Sequence, residues 1–164
     1  MAWAPSGSRA RRRDHFLRGV RYSILPALSL DGVLHLDVKP RSWKGATFYH
    51  FVDTLLDKMN PYPASNSVIV MDNASIHHSL EVQELVEARG MRMIYLPPYS
   101  PDLNPIEEAF SAIKAWIRNN RDYVDNELSG EPLCDPYAMF WAAVYSACTP
   151  ENAEGWFRHS GYLM

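Results

Sequence analysis

The sequence predicts an α/β fold, a mixed sheet flanked by helices, in a single domain over residues 1–164. Three observations carry this. Two short, β-branched, uncharged or sparsely charged runs, residues 67–71 and 91–96, stop abruptly at the turn-forming pairs Asp72-Asn73 and Pro97-Pro98. Around them lie segments whose apolar residues recur with helical spacing. A hairpin signal, Asp31-Gly32, joins two alternating strands ahead of the first such helix. Strands and helices in that order bury their apolar faces by layering helices on a sheet.

Residues 1–17 are polar, contain Pro5 and Gly7, and read as a basic arm. Residues 18–30 form the first strand, with Val20, Tyr22 and Ile24 on one alternation, and Pro26 indicates a bulge or an edge position. Residues 33–38 return after the Asp31-Gly32 turn. Asp31 is explained by that turn and Asp37 by its place in the hairpin. Residues 45–59 put Phe48, Phe51, Val52, Leu55 and Leu56 on one helical face, and Asn60-Pro61-Tyr62-Pro63 ends the helix. The strand at 67–71 is followed by a helix at 79–88, with Val82, Leu85 and Val86 inward and Gly90 as its stop. Beyond the 91–96 strand, a proline-rich loop leads to a helix at 105–119. The charged connection 121–134 contains Gly130 and Pro132 and is expected to be mobile. Asp135-Pro136 and Thr149-Pro150-Glu151 start two more helices. The aromatic residues of the first, Tyr137, Phe140, Trp141 and Tyr145, read as core.

Composition narrows the class. Hydrophobic residues make up 47% and charged residues 21%, as in a globular chain. Up to Arg21 there are six arginines and one aspartate, whereas the rest carries ten basic and eighteen acidic residues. A basic arm ahead of an acidic body suits a protein whose arm meets phosphates and whose acids meet metal. Arg9, Arg11, Arg12 and Arg13 are the candidate DNA contacts, and a solvated loop explains them equally well. Cys134 and Cys148 have neither disulfide-framework nor zinc-site spacing, so a reducing compartment is expected. No run approaches the ~20 apolar residues of a membrane helix, and the N-terminus lacks a signal-peptide core. The expected location is intracellular, and nuclear in a eukaryote.

The chemistry concentrates between Val68 and Lys114. Asp72 follows a buried strand, and Glu107 sits in the first turn of a helix, with thirty-four residues between them. Strand ends in open α/β sheets border a crevice where ligands bind, and two hard oxygen donors there suit a divalent metal. Each acid also has a purely structural reading. Asp72-Asn73 fits a strand-end turn, and Asn104-Pro105-Ile106-Glu107 has the form of a helix-capping box. Glu108 points about a quarter-turn from Glu107 and ranks below it. His77 is placed to meet phosphate or metal-bound water, or else to pair locally; His78 has the weaker claim. Lys114 lies two turns beyond Glu107 and either faces DNA or is solvated.

Asp72-Asn73-Ala74 with His77, followed by Leu-Pro-Pro-Tyr-Ser-Pro-Asp-Leu-Asn-Pro-Ile-Glu at residues 96–107, resembles the catalytic domain of DDE transposases of the mariner superfamily. The spacing suits the branch whose third acid is Glu. The similarity runs from Trp3-Ala4-Pro5-Ser6-Gly7 to His159-Ser160-Gly161-Tyr162. It implies a ribonuclease H-like fold in which three acids bind Mg²⁺ (or Mn²⁺) for DNA cleavage and strand transfer. By the matching motifs, Asp72 corresponds to the second acid and Glu107 to the third. The family carries its first acid on a strand ahead of the Trp-x-Pro-x-Gly segment, which here opens the chain. The expectation is therefore a ribonuclease H-like sheet lacking its first, central strand, between the 18–30 and 67–71 strands. Asp14 is a remote substitute for the missing acid. The implied function is a transposase-derived endonuclease-like domain acting on DNA, with weak or no catalysis by this chain alone and with homodimerisation on paired DNA ends. The alternative is a non-catalytic DNA- or protein-binding module retained from a transposon.

Overall fold

The computed structural model describes residues 20–74, 77 and 79–163. The basic arm with Arg9, Arg11, Arg12, Arg13 and Asp14, and also His78, lie outside the described residues. The elements run β1 (Ser23–Ser29), β2 (Gly32–Lys39), α1 (Gly45–Leu56), β3 (Val68–Met71), α2 (Leu80–Ala88) and β4 (Arg92–Tyr95). A 3₁₀ turn (Pro101–Leu103) and four helices follow: α3 (Pro105–Asn119), α4 (Arg121–Glu127), α5 (Pro136–Ala147) and α6 (Pro150–His159).

The hairpin turns one residue earlier than Asp31-Gly32 suggests. Ser29 pairs with Gly32, so Leu30 and Asp31 form the loop. The Ser29 hydroxyl accepts from the Asp31 N–H and donates to the Gly32 carbonyl, both at 3.2 Å. Gly32 then opens β2 at φ +95°, where a Cβ would come within 2.8 Å of the Cys148 carbonyl oxygen. Glycine is needed there both for backbone conformation and for the close approach of the chain after α5. The antiparallel register slips between Ala27 and Leu28, next to Pro26. β1 starts at Ser23 rather than further upstream, and Tyr22 before it packs on Tyr137 and Phe140.

β3 and β4 pair in parallel, Val68 with Arg92 through Met71 with Tyr95. Parallel neighbours need a crossover connection, and α2 supplies it. Val82 and Val86 of α2 are fully buried against Phe48, Phe51, Val52, Leu55 and Leu56 of α1. Arg89, just past α2, reaches Asp57 and Asp53 of the α1 segment at 2.7 Å each. α1 stops at Leu56, short of the expected Met59, and its chain folds over at Lys58 and Met59 through bonds to the carbonyls of Leu55 and Leu56.

Strands separate two cores. Leu36 and Val38 of β2 join Ala109 and Ile113 of α3 and Met139, Phe140, Ala143 and Val144 of α5 in one. Ile69 and Met71 of β3 join α1 and α2 in the other, against which Leu25, Ala27 and Leu34 also pack. The single mixed sheet expected from the sequence is, among the described residues, two separate pairs, β1–β2 and β3–β4. All of residues 25–30 and 67–72 line one groove of about 620 Å³, whereas β2 contributes only Leu34 and β4 nothing. The unpaired edges of β1 and β3 therefore share that groove, in the place where the central strand was expected.

Two expectations about the C-terminal part are corrected. The connection read as mobile contains α4, pinned by the buried side chain of Val124. The chain from it to α5 is closed by the Asp135 N–H donating to Glu127 Oε2 at 2.7 Å and the Cys134 thiol donating to the Asn126 carbonyl. Of the α5 aromatics read as core, only Phe140 is buried. Tyr137, Trp141 and Tyr145 fall four residues apart on the opposite face and are 41–45% exposed.

Two outcomes follow from these ends and caps. Burial pushes the Cys148 thiol up to about 11 and leaves it 3% exposed, whereas Cys134 is partly accessible. Iodoacetamide on the native chain should label Cys134 and reach Cys148 only after denaturation, as read by peptide mass spectrometry. The Asp135 side chain caps α5 with two 3.0 Å bonds, and Asn104 caps α3 with one at 3.4 Å. Denaturant titration should show Asp135→Ala costing about 1 kcal/mol and Asn104→Ala about 0.5 kcal/mol.

Candidate functional site

Asp72 leaves the end of β3 with its side chain half-exposed, and Oδ1 faces back into the turn. That oxygen accepts from the Ala74 N–H at 3.0 Å and lies 2.8 Å from His77 Nδ1. The same ring nitrogen is 3.4 Å from the Asp72 carbonyl oxygen. The turn closes through the His77 N–H donating to the Ala74 carbonyl at 2.9 Å. Local pairing, one of the two readings of His77, is thus what the geometry contains. The strand-end-turn reading of Asp72 is also realised, but it occupies one carboxylate oxygen. Among the described residues no hydrogen bond engages Oδ2.

Glu107 is brought in by a different route. After β4, Leu96 donates to the Met71 carbonyl at 2.8 Å and extends the parallel pairing by one step. Pro97 and Pro98 then end it, Tyr99 adopts φ +57° with its ring fully exposed, and the 3₁₀ turn reverses the chain. Pro105 occupies the first helical position, where its missing N–H costs nothing, and Asn104 accepts from the Ile106 N–H. The capping-box reading of Glu107 is only half met. The Asn104 N–H, which a capping carboxylate would take, donates instead to the Pro101 carbonyl at 3.1 Å. Among the described residues nothing hydrogen-bonds the Glu107 carboxylate.

The two acids converge. A cavity of about 480 Å³ under the proline loop is lined by Asp72, Asn73 and Ala74, by residues 96–101, and by Asn104 and Glu107. The groove between the strand pairs is lined by Asp72, Asn104 and Glu107 as well, so both acids stand where the two spaces meet. A divalent metal fits this donor set in part: two carboxylates with free oxygens suit Mg²⁺ or Mn²⁺ when phosphate and water complete the shell. Among the described residues no three histidines, cysteines or acids gather around one point, so a third protein ligand is not provided by them.

The other sequence candidates sort by position. His77 lines the groove. Glu108 turns away toward α6, with Oε1 3.3 Å from His159 Nδ1. Asp37 lines neither space and pairs with Lys39 at 3.3 Å. Lys114 is exposed, seven residues beyond Glu107 and so on the same stripe of α3, but it does not line the cavity. Two contributors were not legible from motifs. Phe48 stacks on the His77 ring, with centroids 4.9 Å apart and planes 28° apart. Tyr95 donates its hydroxyl to the His77 carbonyl at 2.8 Å, and burial raises its pKa so that the proton stays in place. Phe48 reads in the sequence only as one more apolar residue of α1, and Tyr95 only as a strand residue.

No curated protein sequence is significantly similar to the chain. Solved structures are. The Mos1 transposase paired-end complex with left transposon end matches with a TM-score of 0.58 at 16% identity, over 98% of this chain and 50% of that one. The Mos1 mariner paired-end complex with Mn matches with a TM-score of 0.57 at 15% identity, over 99% and 51%. The Mos1 strand transfer complex gives 0.55 at 16% identity, over 98% and 49%. The chain thus spans about half the length of these proteins, and the likeness establishes a ribonuclease H-like, mariner-transposase-type fold. Residues 1–128 match the DDE superfamily endonuclease family, from the Trp-x-Pro-x-Gly segment through both acids and α3, and the chain belongs to that family.

Proposed function

We propose that this domain binds DNA through a divalent cation, Mg²⁺ or Mn²⁺, held between Asp72 and Glu107, in the manner of a transposase. The single observation that carries the reading is the convergence of two carboxylates on one cavity, Asp72 from a strand end and Glu107 from a helix start. When bound, such ions stabilise the attacking and departing oxygens of an in-line displacement at phosphate. The chain's own residues supply the setting. Asp72 is fixed by its turn, Glu107 by the Pro105 helix start, and the proline loop walls the cavity between them. Arg9, Arg11, Arg12, Arg13 and Lys114 supply positive charge for the phosphate backbone. The solved Mos1 complex with a transposon end supports DNA as the partner, and in this reading two copies act on two DNA ends.

Turnover by this chain alone is weak or absent in this reading. Among the described residues, two carboxylates alone leave a two-metal arrangement without a ligand that bridges both ions. The groove between the β1 and β3 edges is the place for a further strand carrying such an acid. The binding-module alternative is favoured by one observation, the lack of a third metal ligand among the described residues.

Calorimetric titration of the full chain with Mn²⁺ separates the readings. Asp72→Asn and Glu107→Gln should each weaken binding by at least the ~10–100-fold that outer-shell changes cost. Plasmid nicking with Mg²⁺ or Mn²⁺ should stay near background; robust nicking abolished by Asp72→Ala would overturn the inactivity. DNA binding indifferent to chelator and to both substitutions would favour the binding module. Lys114→Ala should lower DNA affinity about equally for all sequences and reduce the slope of log K against log salt by about 1.

A further inference from the structure

We infer that His77 is a positioning residue for Asp72, and that Phe48 of α1 holds His77 to that task. The inference rests on the metal reading of Asp72 above and assigns how its carboxylate is aimed. An aspartate χ2 is a broad, soft torsion. A half-exposed carboxylate at a strand end would sample many orientations unless something fixed it. Oδ1 accepts from the Ala74 N–H at 3.0 Å and lies at ion-pair distance, 2.8 Å, from His77 Nδ1, whose hydrogen bond runs to the Asp72 carbonyl at 3.4 Å. Fixing one oxygen from two directions sets the plane of the group and presents Oδ2 to the cavity shared with Glu107.

The imidazole is itself restrained on three sides. Its ring lies on Phe48, which is 4% exposed and set in the α1 core. Its backbone N–H is tied to Ala74 and its carbonyl to the Tyr95 hydroxyl. Tyr95 pairs across the sheet with Met71, the residue immediately before Asp72. The chain of contacts therefore closes on itself: Met71 to Tyr95, Tyr95 to His77, His77 to Asp72. The ring side chain is only 18% exposed, which accords with local pairing, one of the two readings the sequence offers for it. Ring chemistry fixes the proton as well. Both atoms that face Nδ1 are oxygens with lone pairs, the Asp72 carboxylate and the Asp72 carbonyl. Nδ1 must then carry the hydrogen, although an ordinary neutral histidine has either tautomer open to it.

Two measurements on the full chain test this. Long-range ¹H–¹⁵N correlation of the metal-free protein should show the His77 ring proton on Nδ1. The reverse tautomer would overturn the inference without any metal being added. In Mn²⁺ titrations, His77→Ala should weaken binding about 10–100-fold, as loss of an outer-shell partner does. His77→Asn, whose side-chain N–H can take the place of Nδ1, should recover most of that loss. Phe48→Leu, which keeps the core filled but removes the stacked ring, should fall between. If Asp72→Asn weakens Mn²⁺ binding and His77→Ala does not, the positioning role fails while the metal reading stands. If Asp72→Asn changes nothing, the metal reading falls and this inference goes with it.

Discussion

Parallel pairing of β3 with β4 is the constraint from which the site follows. Strands that run the same way end on the same side, so whatever follows Met71 and whatever follows Tyr95 must emerge together. Asp72 is the first residue past one end, and the Leu96-Pro97-Pro98 loop begins past the other. Prolines cannot donate to a ladder, so the pairing stops there and the loop has to turn. The 3₁₀ turn and the Asn104-Pro105 helix start then bring Glu107 back over the strand ends. None of this requires the acids to attract one another, and like charges do not. They are held near each other by backbone that two packed cores fix, one under β3 and the other under α3.

That core depends in turn on α2, whose short crossover must keep β3 and β4 in register. Val82 and Val86 fill the space against α1, and Arg89 adds two ion pairs to Asp53 and Asp57. Those pairs are exposed and contribute little to stability by themselves. Their bidentate reach across from α2 to α1 sets orientation more than energy. Phe48 belongs to the same helix face, so the packing that forms the core also supplies the surface on which His77 lies. The opposite core, around α3 and α5, holds Glu107 in place through Ala109 and Ile113 on the inner side of α3. Asp72 and Glu107 thus answer to different cores. They meet along the seam between them, the groove bordered by the unpaired edges of β1 and β3.

Much of this was legible in the sequence, for identifiable reasons. Runs ending in turn residues marked β3 and β4, because a buried strand must stop where the backbone leaves the sheet. The caps Asn104, Asp135 and Thr149 marked three helix starts, since their side chains have one local job. The joint motif pointed to Asp72 and Glu107, which both line the cavity under the proline loop. What was not legible depended on distant packing. The α5 aromatics were misread because a helix rich in Tyr and Trp looks apolar all round, while Met139, Phe140, Ala143 and Val144 already fill the core. Helix α4 was missed because its charged sequence has one inward residue, Val124, too few to show a period. The hairpin turn slipped by one residue because Gly32 was needed for the chain crossing at Cys148, a contact over a hundred residues away. The local pairing of His77 was weighed correctly, but the ring beneath it could not be read from a loop.

The position of Glu107 argues that metal and DNA would arrive together. It lies in the first turn of α3, at the positive end of the helix dipole. That field opposes a cation drawn up to it, which weakens binding by protein oxygens alone. With Asp72 the one other acid lining the cavity among the described residues, the balance needs further negative charge there. A phosphodiester supplies it, and Mg²⁺ in particular is usually held by one or two carboxylates plus substrate phosphate. In the proposed reading, a helix start that repels a bare ion and tolerates an ion–phosphate pair would make the phosphodiester itself part of the metal site.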